Sequence, residues 1–105
     1  MEEKDKFVAY INEELKEIVP IFIEGKYRDI EKLLKYLEDQ DFESIKRLGH
    51  NMKGTAGGYG FKEIMEIGIE IEKLADEKKS SALKIKVDEL SNYLNNLEII
   101  YESME

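Results

Sequence analysis

Cysteine and tryptophan are absent from this 105-residue chain, and proline and histidine occur once each. Each shortage excludes something. Without cysteine there is neither a disulfide framework nor a thiolate metal site. With one histidine, a metal site would have to rest on carboxylates, and no calcium-loop pattern is present. The longest apolar runs, such as Ile18-Val19-Pro20-Ile21-Phe22-Ile23, fall far short of the roughly 20 residues needed to span a bilayer. The N-terminus is rich in Glu and Lys and lacks the apolar stretch of a signal peptide. Positive charge is also scarce: 16 Lys and Arg stand against 24 Asp and Glu, for a net charge of −8. A nucleic-acid binder needs a positive footprint, so that class is excluded. The expectation is a cytoplasmic protein with no membrane or nucleic-acid partner, folded as a single domain over residues 1–105 around one core.

What the chain does contain is helix-compatible: Glu, Lys, Ile and Leu in abundance, with little strict alternation. Four amphipathic segments stand out. The first runs from about Pro20 to Glu38, with Ile23, Tyr27, Ile30, Leu33, Leu34 and Leu37 on its apolar stripe. Pro20 is tolerated early in a helix and not deep inside one, so Asn12 to Val19 reads as a short preceding helix. Asp41 is the N-cap candidate for the second segment, Phe42 to about Tyr59. Gly60 punctuates it before the third, Phe61 to about Lys78, where Ile64, Ile67, Gly68, Ile71, Leu74 and Ala75 face inward. A glycine at that inward position, Gly68, suggests close helix approach, a merely tolerated glycine being the alternative. Ser80 or Ser81 caps the fourth, whose stripe Leu83, Val87, Leu90, Leu94, Leu97, Tyr101 and Met104 runs to near the C-terminus. Short turns between long helices predict an all-α fold: an antiparallel up-down-up-down four-helix bundle with a short N-terminal capping helix.

The lone histidine, His50, lies on the wrong side of the second helix for a core residue. At about 100° per residue, Ile45, Leu48, Met52, Ala56 and Tyr59 share one face. His50 projects from the other, beside Glu43, Lys46, Arg47, Lys53, Gly54 and Gly57. An isolated histidine on a soluble helix is most often an ordinary surface residue. Here Lys46 and Lys53 lie one turn to either side. Gly54 and Gly57 continue the exposed stripe, where glycine costs about 0.5–1 kcal/mol relative to alanine. Those glycines suggest a demand for access, and the cations would receive an anion and favour the neutral, nucleophilic imidazole. A phosphoryl group meets all these conditions. For Lys46 and Arg47, ordinary helix-surface charge is the competing reading.

His50-Asn51-Met52-Lys53-Gly54-Thr55-Ala56 closely resembles the motif of histidine-containing phosphotransfer (HPt) domains: His, any residue, Leu or Met, Lys, Gly, Ser or Thr, then a small residue. Gly58 to Phe61 extends the match, and Val19-Pro20-Ile21-Phe22-Ile23 and Asp39-Gln40-Asp41-Phe42-Glu43 are similar to the same domains. The resemblance runs from about Ile11 to Tyr101. It implies a phosphorelay carrier rather than an enzyme. His50 would accept a phosphoryl group on Nε2 from a receiver-domain phospho-aspartate and pass it to another receiver aspartate. Lys53 would lie beside the phosphoryl oxygens, while Gly54 would clear space for the receiver's loops, adding to the access that Gly54 and Gly57 suggest from the helix face. No cofactor is expected on this chain, Mg²⁺ being brought by the receiver.

Chemotaxis-type histidine kinases begin with a similar phosphorylatable bundle, in which a glutamate matching Glu72 orients the imidazole through Nδ1. A solvated helix residue is the alternative for Glu72, and Ile69 stands where that kinase family often has a second histidine. Receivers are the expected partners, with a histidine kinase as a further one, and the chain is expected to be a monomer. Lys46 and Arg47, with the apolar Ile11, Leu15, Ile18 and Phe22, are the docking candidates; some of the apolar four must instead cover the bundle end. Two alternatives remain. One is the phosphorylatable N-terminal domain of a chemotaxis-type kinase, labelled by a separate ATP-binding domain. The other is a scaffold bundle that binds receivers without being phosphorylated.

Overall fold

Three short turns decide where the helices stop. After Glu38, Gln40 adopts a left-handed backbone (φ 54°), and the Asp41 amide turns back to the Tyr36 carbonyl at 2.8 Å. After Tyr59, Gly60 does the same (φ 94°), with the Phe61 amide donating to Ala56 O at 2.9 Å. After Asp76, Lys78 (φ 56°) takes that role, and the Lys79 amide closes on Leu74 O at 3.0 Å. Only one of the three uses glycine, the residue that adopts this conformation without steric cost. In the computed structural model, which describes residues 6–103, the helices so bounded are α1 (Val19–Glu38), α2 (Phe42–Tyr59), α3 (Lys62–Asp76) and α4 (Ser80–Asn95).

Asp41 caps α2 as its sequence position predicts: its carboxylate accepts from the Ser44 hydroxyl at 2.6 Å and the Ser44 amide at 3.2 Å. Those hydrogen bonds hold the Asp41 carboxyl below its usual range. At α4 the N-cap position is Lys79 rather than Ser80 or Ser81, and no side chain caps the helix. The left-handed Lys78 turn supplies the start instead.

The helices pack as a four-membered set, α1 against α2 and α4, α3 against α2 and α4, with the α2–α3 contact the most extensive. Leu33, Ile45, Met52, Ile64, Ile71, Leu83 and Leu90 are fully buried between them. Along α1 the inward stripe is rotated from the expected one. Phe22, Lys26, Asp29 and Leu33 are buried, while Tyr27 and Leu34 are exposed. The rotation is possible because Lys26 and Asp29, one turn apart, neutralise each other at 2.7 Å. The Lys26 ammonium also lies 5.1 Å from the Phe22 ring centroid, so two charged residues occupy positions that patterning assigns to apolar ones.

The all-α expectation needs correction at both ends. In place of a capping helix over Asn12 to Val19, the chain forms β1 (Phe7–Asn12), a single 3₁₀ turn at Glu13–Leu15, a further turn closed by the Ile18 amide on the Leu15 carbonyl, and then α1, with Pro20 in its first turn. Helix α4 stops at Asn95, where the Asn96 side chain and amide both return to the Asn92 carbonyl. The following Leu97–Glu102 is β2. The two strands pair in parallel, Phe7 opposite Leu97 and Asn12 opposite Glu102. Leu97 and Tyr101, expected on a helical stripe, lie on the strand and pack against the core with Ile99. Met104 lies outside the described residues.

Candidate functional site

His50 occupies the middle of α2 with its side chain 61% exposed. The inward neighbours on the same helix, Gly49 and Met52, are buried, so the helix is anchored beneath the ring while the ring itself projects. Across the α2–α3 contact, Glu72 brings a carboxylate oxygen to 3.2 Å from His50 Nδ1. Its other oxygen lies 3.7 Å from Lys53 Nζ. Glu72 is only 27% exposed, less than either partner, and joins the two motif residues from the neighbouring helix. A carboxylate can only accept, so the Nδ1 contact is a hydrogen bond when that nitrogen carries the proton. Among the described residues no protein group bonds Nε2.

The surrounding cations are more divided than the sequence suggests. Lys46 is drawn to Asp76 of α3 at 2.9 Å, and that hydrogen bond and charge hold its ammonium above the usual lysine range. Lys53 shares Glu72. Arg47 is exposed and makes no ion pair among the described residues. Glu43, Lys46, Arg47, His50 and Glu72 together line an open depression beside the ring. The three expected cations are therefore one free guanidinium and two ammonium groups already facing carboxylates.

The access glycines differ from each other. A Cβ at Gly54 would meet nothing within 4 Å, so the surface beyond Lys53 is open. A Cβ at Gly57 would come 3.2 Å from Met65 Sδ, so that glycine also makes room for α3. The docking candidates are divided as well. Ile11, on β1, is fully buried. Phe22 is buried in an aromatic stack, 4.7 Å from the Tyr59 ring and 5.2 Å from Phe61. Leu15 is half-buried, and Ile18 is exposed.

Two inward glycines, one of them without a role in the sequence pattern, enter the site from below. Gly49 and Gly68 lie where the α2 and α3 backbones touch. A Cβ on Gly49 would sit 2.9 Å from the Glu72 amide nitrogen, and one on Gly68 would sit 2.9 Å from the Lys53 amide nitrogen and from the Gly49 carbonyl oxygen. The close approach expected at Gly68 is therefore present. The signal for Gly49 was available in the same form, a glycine on an inward helix face.

A small helical bundle presenting an exposed imidazole, backed by a carboxylate and flanked by cations, defines a class of phosphoryl-carrying domains. The family model for the Hpt domain matches residues 17–99, and the chain belongs to that family. Comparison with curated proteins and with solved structures finds no match. Hpt domains are phosphotransfer carriers in phosphorelay signalling, where they meet receiver domains and kinases. Among the described residues, no helix is long and apolar enough to cross a membrane.

Proposed function

We propose that the chain is a cytoplasmic, monomeric, single-domain carrier with its helices in up-down-up-down order. In this reading His50 takes a phosphoryl group from a receiver phospho-aspartate and passes it to another receiver aspartate. The observation that carries this reading is the 3.2 Å contact between His50 Nδ1 and Glu72 on an otherwise exposed ring. With its proton on Nδ1 and donated to Glu72, the imidazole keeps a free lone pair on Nε2. That lone pair attacks phosphorus. The N–P bond forms as the P–O bond to the aspartate breaks, and the carboxylate departs with the bonding electrons. The ring gains positive charge and keeps its Nδ1 proton, which the Glu72 carboxylate faces. Return to a second receiver reverses each step.

Lys53 offers its ammonium to the phosphoryl oxygens, and Gly54 leaves room for the partner's loops. Gly57 adds to that clearance. Lys46 and Arg47 present charge to the docked receiver, and the exposed Ile18 and half-buried Leu15 at the start of α1 are the remaining apolar docking residues. Such a carrier needs orientation more than catalytic groups. It acts without a cofactor of its own, with Mg²⁺ on the receiver. The same Glu72 contact suits a second reading, the phosphorylatable domain of a chemotaxis-type kinase, although Ile69 stands where that family often has histidine.

Incubation with a panel of phosphorylated receiver domains tests the proposal. Wild type is expected to gain an acid-labile, base-stable phosphate, and His50→Gln none. Equal labelling of His50→Gln, or failure of every receiver, contradicts it. Labelling only by an ATP-bound kinase domain selects the second reading.

A further inference from the structure

We propose that Gly49 and Gly68 are positioning residues: their direct backbone contact sets the α2–α3 separation that delivers Glu72 to His50 Nδ1. This inference rests on the carrier reading only for its consequence in transfer; the geometry it explains is independent of phosphate.

The two glycines sit against backbone rather than against flexible side-chain ends. A Cβ on Gly49 would approach the Glu72 amide nitrogen at 2.9 Å, the Gly68 carbonyl oxygen at 3.0 Å and Ile71 Cγ2 at 3.0 Å. A Cβ on Gly68 would approach the Gly49 carbonyl oxygen and Lys53 amide nitrogen at 2.9 Å and the Lys53 Cα at 3.3 Å. Backbone cannot rotate out of the way, so either substitution must move the helices apart. Among the atoms in the way are backbone atoms of Glu72 and Lys53, the two residues whose side chains meet next to the imidazole. Gly49 is also the residue immediately before His50. Separation therefore lengthens the His50–Glu72 contact, already at 3.2 Å, beyond hydrogen-bond reach. By contrast, Gly25 and Gly58 have open space where a Cβ would stand, so the constraint belongs to the crossing and not to glycine in general.

The test combines a spectroscopic signature with a double-mutant cycle. Because His50 is the chain's one histidine, its ring-nitrogen NMR resonances report the tautomer with no background. Wild type is expected to hold the proton on Nδ1, whereas Gly49→Ala and Gly68→Ala shift it to the mixed population of an unheld imidazole. Gly25→Ala leaves it unchanged. In receiver-to-protein transfer, each inward alanine is expected to slow the rate roughly tenfold, the scale of losing an orienting carboxylate. Combined with Glu72→Gln, either alanine adds no further loss, since both changes remove the same contact. An unchanged tautomer in both folded alanine variants overturns the inference, as do additive losses in the cycle. If neither variant shows helical structure in the cold, it is also overturned, because the crossing then holds the bundle rather than the imidazole. A wild type that takes no phosphate removes the carrier reading while the tautomer comparison still decides this one.

Discussion

Glu72 serves two neighbours at once, with one oxygen on His50 Nδ1 and the other near Lys53 Nζ. Lys53 is thereby held beside the imidazole instead of ranging over solvent. Lys53→Ala is expected to slow phosphoryl transfer by about tenfold, comparable to removing one supporting partner of a reactive group. Far-ultraviolet circular dichroism should remain that of wild type, because Lys53 is no member of the hydrophobic core. A large loss of helicity would instead make Lys53 a structural residue. Lys46 faces Asp76 and is less free to follow the phosphoryl group, so Lys46→Ala should slow transfer less than Lys53→Ala. At this scale the sequence was informative where a residue's role depends on its own helix. His50, Lys53 and Gly54 are neighbours by helical spacing, and their placement follows from it. What periodicity could not supply is the pairing across helices: Asp76 with Lys46, and the Gly49–Gly68 contact, depend on how deeply α2 and α3 approach.

Helices α2 and α3 have bounds close to those their patterns predict, since Asp41 and Gly60 are strong local signals and the apolar spacing is regular. Helix α1 was legible in extent and not in rotation. Its buried face includes Lys26 and Asp29, which hydropathy places outside until each is known to neutralise the other. Removing one partner of that pair strands a buried charge. Asp29→Ala is expected to destabilise the fold by about 3 kcal/mol, while a joint apolar replacement such as Lys26→Met with Asp29→Leu should be close to neutral. Urea denaturation of the single and double variants checks both values; a single variant as stable as wild type would mean that the pair is not coupled to folding. The terminal strands are hidden in the sequence for a different reason. Leu94, Leu97 and Tyr101 fit helical spacing, while Leu97, Ile99 and Tyr101 fit strand spacing equally well. Parallel pairing to Phe7–Asn12, distant in sequence, decides between them.

For the whole molecule, the net acidity and the mixed depression at His50, where Lys46 and Arg47 stand among Glu43 and Glu72, are separate properties. The net charge of −8 does not describe the surface a partner meets at His50, where Arg47 stands unpaired among the described residues. Stability has its own pH signature at high pH. Burial pushes the Tyr93 phenol up to about 12, and the Glu63 carboxylate adds to the shift. The phenol of an unfolded chain ionises near 10. Its protonated form therefore supports the folded state fully below about pH 10, and that support is lost as pH rises through 12. Alkaline denaturation of Tyr93→Phe should show a smaller loss of stability across that interval than wild type; identical curves would exclude Tyr93 as its source. The β1–β2 pair ties the described ends of the chain together, and its buried Ile11 reaches the Gly60 turn at the end of α2, so the helix that carries His50 is held from outside the bundle as well as within it.

The most direct measurement of the central claim is phosphorus and nitrogen NMR of the protein after reaction with a phosphorylated receiver. One phosphoramidate on His50 Nε2, absent from His50→Gln, is the predicted result. Phosphate on Nδ1, the nitrogen that faces Glu72, or no phosphoramidate under conditions where the receiver loses its phosphate to another carrier, would contradict it.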